Sequence, residues 1–256
     1  MPLTTPHPKA ASPHRPWGKA PLLVALAGLA ATMAAGGPAW GAQAKPLSLV
    51  PGALQAPARQ PAATPLTPVE KGWLRRLEDV LAATHTVKAH FVQQAWDGQN
   101  HQSTSTGTLW LERPGRMRFS YDPEPGKGDK KEAPVTITAN DGKLVYIDPS
   151  IDQVTAMPLD HSPLGLLLRA QPRFSGDVTV TGFVMGPGQK RMAVALVRTA
   201  MPSAGTLTLQ FNASPLQLLG WSVRDASGKT TSLSLEDVHT GMELPAGLFK
   251  LPRQAP

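Results

Sequence analysis

From Gly107 to Asp148 the chain alternates too strictly to be helical. Met117, Phe119 and Tyr121 are interleaved with Arg116, Arg118 and Ser120, the period-two pattern of a strand with one buried face. Val135 to Ala139 and Leu144 to Asp148 repeat it, and Asn140-Asp141-Gly142 between them supplies the residues a tight hairpin turn requires. Such a stretch builds the wall of an antiparallel sheet, and the question becomes what the wall encloses. Leu109, Leu111, Met117, Phe119, Tyr121, Leu144 and Tyr146 are the candidates for an apolar interior. Leu109-Trp110-Leu111 is apolar on both faces, so this run leaves the inward parity open.

The same rhythm extends in both directions. Val87, Ala89, Phe91 and Gln93 alternate over Val87 to Ala95, followed by Asp97-Gly98 as a turn. Thr106 to Glu112, Val178 to Val184, Met192 to Arg198, Leu207 to Asn212, Leu219 to Arg224 and Thr231 to Asp237 read as further strands. Gly186-Pro187-Gly188 and Ala226-Ser227-Gly228 fall where hairpin turns are needed. Evenly spaced strands predict a mainly β fold, an antiparallel meander closed as a barrel or a strongly curved sheet.

Two segments break the rhythm. Glu70 to Ala83 places Trp73, Leu74, Leu77, Val80 and Leu81 at helical spacing, with Arg75, Arg76, Glu78 and Asp79 on the other side. Ser162-Pro163 then opens a short apolar helix through Arg169, with an N-cap followed by proline at the first helical position. Leu164, Leu167 and Leu168 are expected to share its buried face. Interrupting the strands at their middle, this segment would plug the core.

The first 44 residues read as an export signal. Lys9, Arg15 and Lys19 precede an apolar stretch from Ala20 to Ala35, and Ala42-Gln43-Ala44 offers a cleavage site. The stretch is shorter than the roughly 20 residues that span a bilayer. Cleavage near Ala44 would release a periplasmic protein. Lys45 to about Val69 is rich in proline and alanine and is expected to be a disordered spacer. The folded domain is expected over 70–256. The chain contains no cysteine, which excludes disulfides, thiolate catalysis and a lipid anchored through an N-terminal cysteine. Without the signal and its three basic residues, the net charge falls from +7 to +4. The basic residues form no stripe, so nucleic acid is not an expected partner.

The motifs of catalysis are missing. Gly228-Lys229-Thr230 resembles the end of a phosphate loop, but Val223 stands where its first glycine must be. No G-x-S-x-G or H-E-x-x-H occurs. His85, His90, His101, His161 and His239 lack metal-ligand spacing. Glu236-Asp237 is an adjacent pair expected to point to opposite faces of a strand. The residues thus predict neither an enzyme nor a cofactor. An outer-membrane barrel is disfavoured by the two tyrosines and the missing aromatic girdles.

Several blocks together resemble the periplasmic outer-membrane lipoprotein carrier (LolA) family over about Lys71 to Pro252. They are A-H-F-V-Q-Q, G-T-L-W-L-E-R-P-G-R-M-R-F-S-Y and N-D-G-K-L-V-Y-I-D. The run Asp152-Gln153-Val154-Thr155 leading to Pro163-Leu164-Gly165-Leu166-Leu167-Leu168 follows, then L-G-W-S-V-R-D-A-S-G-K-T-T and Leu248-Phe249-Lys250-Leu251-Pro252. The resemblance implies an incomplete, half-open antiparallel β-barrel with helices forming a lid over an apolar cavity for acyl chains. The cavity positions named above, with Leu164, Leu167 and Leu168, would then be acyl-chain-binding. Arg113 matches the family's arginine-proline position, associated with latching the lid. The implied partners are acylated lipoproteins, an inner-membrane lipoprotein-releasing ABC transporter and an outer-membrane acceptor, with the carrier a monomer. The insert Glu124 to Pro134 and the long spacer depart from the family pattern. A lipid- or lipoprotein-binding sensor on the same fold, without transport, is the alternative function.

Overall fold

The computed structural model describes residues 63–97, 102–123 and 133–252. The export signal, most of the spacer, Gly98 of the expected Asp97-Gly98 turn and most of the Glu124–Pro134 insert lie outside them. The described chain opens with helix α1 (Pro68–Ala83). Thr67 caps it: its hydroxyl accepts from Glu70 N, and the Glu70 carboxylate accepts from Thr67 N at 2.7 Å, a capping box that satisfies two otherwise orphaned donors. The ordered fold therefore begins before the expected Glu70, inside the stretch read as spacer. Thr64 N donates to Val180 O at 3.1 Å and Leu66 packs against the core.

Eleven antiparallel strands follow: β1 (Thr86–Trp96), β2 (Gln102–Glu112), β3 (Arg116–Tyr121), β4 (Thr136–Asn140), β5 (Lys143–Asp148), β6 (Gln153–Pro158), β7 (Val178–Met185), β8 (Arg191–Arg198), β9 (Gly205–Ala213), β10 (Leu216–Asp225) and β11 (Thr230–Thr240). They form one sheet in the order β6-β5-β4-β3-β2-β1-β11-β10-β9-β8-β7. Chain order is kept throughout. The first and last strands pair, and the single break falls between β6 and β7. The expected mainly β, open antiparallel architecture is the one observed.

Local chemistry accounts for the turns. Between β4 and β5, Asp141 and Gly142 take φ of 49° and 71°, the two positive values of the hairpin turn that matches strand twist. No strand signal marks β6 in the sequence. It is an edge strand paired only with β5, its residues alternating between half-buried and exposed. Val154 is 59% exposed and Met157 alone packs on the core, so half of the usual apolar signal is missing. The Glu236–Asp237 pair falls at an irregularity in β11, where Asp237 takes φ of 48°, and both side chains are exposed rather than split between faces.

The sheet curls around one core. Residues from opposite ends of the strand order, Tyr146 on β5 and Met192 on β8, join Leu74, Leu77 and Leu81 of α1 in a single buried cluster. At its centre Phe91 meets Phe119 and Tyr121 edge-on, with centroids 5.3 and 5.1 Å apart, and Phe119 meets Trp221 at 6.4 Å. Each such pair adds about 0.5–1.5 kcal/mol beyond area burial. The C-terminal segment folds back over the outer face of β3 and β4, where Leu248 O accepts from Arg118 Nη1 at 3.4 Å. Arg116 there lies 5.9 Å from the Phe249 ring.

Candidate functional site: an apolar interior under a leucine plug

The inward parity is now fixed. Leu109, Leu111, Met117, Phe119, Tyr121, Leu144 and Tyr146 are all buried on the inner face and belong to the one core cluster. Their partners in register, Ala89 opposite Leu109 and Phe119 opposite Leu109, carry the same face across β1, β2 and β3. Trp110 therefore faces outward.

The connection from β6 to β7 crosses the break in the sheet and carries the plug. Its start is held by Leu159 N, which donates to Gly142 O at 2.8 Å, and by Arg198 Nη2, which donates to Asp160 O at 2.6 Å. Ser162 then caps a single 3-10 turn, Pro163–Leu166, its hydroxyl accepting from Leu164 N at 3.2 Å. The expected helix through Arg169 is only this turn plus two irregular residues. Gly165 is required inside it, since a Cβ there would lie 2.8 Å from Leu159 O. The tight winding turns Leu166 inward as well, so Leu164, Leu166, Leu167 and Leu168 are all buried. At the far end Arg169 forms a two-pronged ion pair with Asp177, one arm at 2.8 Å, which holds the Asp177 carboxyl below its ordinary range.

Arg113 ties the plug to the rest of the molecule. It closes β2, is 6% exposed, and its Nε donates to Leu167 O at 2.8 Å while Nη1 donates to Thr84 O. Thr84 is the C-cap of α1. One guanidinium thus joins the helix end to the plug, and Gly115 N adds a bond to Leu168 O at 2.8 Å. Burial lowers the Arg113 pKa to about 10, and the group remains charged at neutral pH. Helix and plug loop are joined a second time by Glu78, which accepts from Phe174 N at 2.6 Å and from Arg173 Nη1 at 3.2 Å.

Beneath the plug lies a residual cavity with room for about 60 Å³ of solvent, walled by Phe119, Leu164, Leu166, Leu196, Trp221 and Leu233 among others. Of the candidates named from sequence, Phe119 and Leu164 line this cavity directly, and the other eight surround it in the core. Leu196, Trp221 and Leu233 come from β8, β10 and β11. Leu196 follows Met192 and Val194 in clean alternation and Leu233 precedes Leu235, whereas an irregularity between Leu218 and Gly220 interrupts the pattern just before Trp221. Tyr146 bonds Asp148 at 3.3 Å, and burial followed by that carboxylate pushes its pKa up to about 12. Among the described residues no three acidic or histidine side chains converge on a metal position. His90 sits on the outer surface, 3.8 Å from Asp122 and 3.7 Å from Glu236.

A family model described as outer membrane lipoprotein carrier protein LolA matches residues 82–252. An outer-membrane lipoprotein carrier protein of Chromohalobacter salexigens is 28% identical over 197 residues, 73% of this chain and 86% of that protein. One from Ralstonia nicotianae is 26% identical, covering 71% and 83%. A solved LolA superfamily protein from Nitrosomonas europaea superimposes with a TM-score of 0.41 at 14% identity, over 71% of this chain and 97% of that one.

Proposed function

Because the chain belongs to the outer membrane lipoprotein carrier protein LolA family, we propose that it binds acyl chains of lipoproteins in the space its leucine plug now fills. It carries those lipoproteins across the periplasm, from an inner-membrane ABC transporter to an outer-membrane acceptor. Binding and transfer, not catalysis, are its work. The observation that carries this reading is an apolar interior stoppered by four leucines on a segment outside the sheet.

Magnitudes favour exchange over permanent packing. Each methylene taken out of water is worth roughly 0.8 kcal/mol, so a chain of about fourteen contributes roughly 11 kcal/mol. Exposing four buried leucines costs roughly 6–12 kcal/mol on the same scale. The two nearly cancel, which permits both loading and release. A cavity of 60 Å³ has room for only a few water molecules, at about 10–15 Å³ each on this measure. A long chain therefore enters only as the plug leaves. In this reading Arg113 is the latch, and the apolar wall, including Leu109, Leu111, Met117, Phe119, Tyr121, Leu144 and Tyr146, contacts the chain.

Mass spectrometry of protein recovered from the periplasm tests the proposal. We expect tri- or diacylated lipoprotein bound one-to-one, in a chain whose N-terminus lies near Lys45. Recovery of the protein with no acylated molecule from cells that are exporting lipoproteins would refute it.

A further inference from the structure

Gln93 is the polar exception on the inner wall. It continues the inward series Val87, Ala89 and Phe91 of β1 and is 4% exposed. Its Oε1 accepts from the Tyr121 hydroxyl at 3.0 Å. Burial raises the Tyr121 pKa, so the phenol keeps its proton, and it donates that proton to the amide oxygen, which is the end turned toward it. That leaves the Nε2 hydrogens without a partner among the described residues. No side-chain nitrogen or oxygen that is sealed off among those residues lacks a hydrogen-bond partner. The unpartnered Nε2 is therefore not sealed off, and Gln93 is one of the residues that line the cavity.

Burying an amide without full compensation costs about 1–3 kcal/mol on mutational scales, and a leucine or methionine would fill this place without that cost. A cavity that took hydrocarbon alone would gain nothing from the amide. We propose that Gln93 is a specificity residue whose Nε2 donates to the carbonyl oxygen of an acyl ester or amide, so that the site selects hydrocarbon joined through a carbonyl over hydrocarbon alone. The inference rests on the reading that this cavity accepts acyl chains. Phe119, Trp221 and Leu233 line the same cavity, and a bond made against such apolar walls is stronger than one made in bulk water. Tyr121 is a positioning residue, because it decides which end of the amide faces the ligand.

The test uses the full chain and displacement of an environment-sensitive naphthalene-sulfonate dye by three matched ligands: methyl palmitate, N-methylpalmitamide and hexadecyl methyl ether. The ester and the amide are expected to bind roughly five- to tenfold more tightly than the ether, the range of one buried hydrogen bond. In Gln93→Leu combined with Tyr121→Phe, which removes both partners and orphans neither, that ratio should fall to one. Equal binding of ester, amide and ether by the wild type overturns the proposal and leaves the carrier reading intact. So does a preference that survives in the double variant. If none of the three displaces the dye, the acyl-carrier reading itself falls. Should the double variant fail to fold, the wild-type ratio alone decides.

Discussion

Arg113→Leu is expected to leave cargo uptake intact and to cut onward transfer to an acceptor by more than tenfold. The substitution keeps an aliphatic body but removes the donors to Leu167 O and Thr84 O. Hydrogen bonds involving a charged partner contribute about 1.5–3 kcal/mol each, and 1.4 kcal/mol is a factor of ten. Losing two therefore shifts the plug strongly toward the displaced state. By linkage, a ligand that binds only that state gains apparent affinity by the same factor. The variant then holds its cargo too well, because nothing draws the plug back. Arg113→Lys should fall between the two, since an ammonium is a point charge and cannot span both carbonyls as a planar fork does. Hydrogen exchange at Leu167 and Leu168 reads the plug directly and should accelerate more than tenfold in the leucine variant. Equal transfer by variant and wild type would reduce Arg113 to a structural residue.

Gly107→Ala is expected to be among the most damaging small changes in the sheet. A Cβ at this position would lie 2.2 Å from Ser120 O and 2.8 Å from the Phe91 ring. The first contact is with backbone of the neighbouring strand, so no side-chain rotation relieves it. The second pushes on the aromatic cluster under the plug. Overpacking costs typically 1–3 kcal/mol and occasionally more, and this site belongs at the upper end. For a domain of this size roughly 3 kcal/mol lowers the melting temperature by about 6–12 °C. Thermal unfolding of the variant checks it. A shift below 2 °C would mean that β2 and β3 separate at little cost here.

How much was legible depended on where period two is clean. From β2 to β5 one face is buried and the turn residues are unambiguous, and β3, β4 and β5 lie within one residue of their expected ends, while β2 begins four residues before the expected Thr106. β6 was opaque because an edge strand buries too little to show a pattern. The plug was legible as apolar and out of rhythm, but sequence spacing suggested an α-helix. Proline at its first position and the close approach of Gly165 to Leu159 O wind it as a 3-10 turn instead. No spacing predicts that Arg113 reaches both Thr84 and Leu167, because those partners are brought together only by the strand order. The resemblance pointed to Arg113, and the fold places its guanidinium between Leu167 O and Thr84 O. Gln93 was visible as a member of the inward series, but its bond to Tyr121 is a property of the packed wall.

The central claim is that this interior exchanges its leucine plug for acyl chains. Incubating the purified protein with energised inner-membrane vesicles carrying a labelled lipoprotein tests it most directly. The account predicts that the lipoprotein appears in the supernatant as a soluble one-to-one complex, with hydrogen exchange at Leu164 to Leu168 accelerated relative to the protein alone. Lipoprotein that stays with the sedimented vesicles at every protein concentration, or a soluble complex in which the plug remains fully protected, would contradict it.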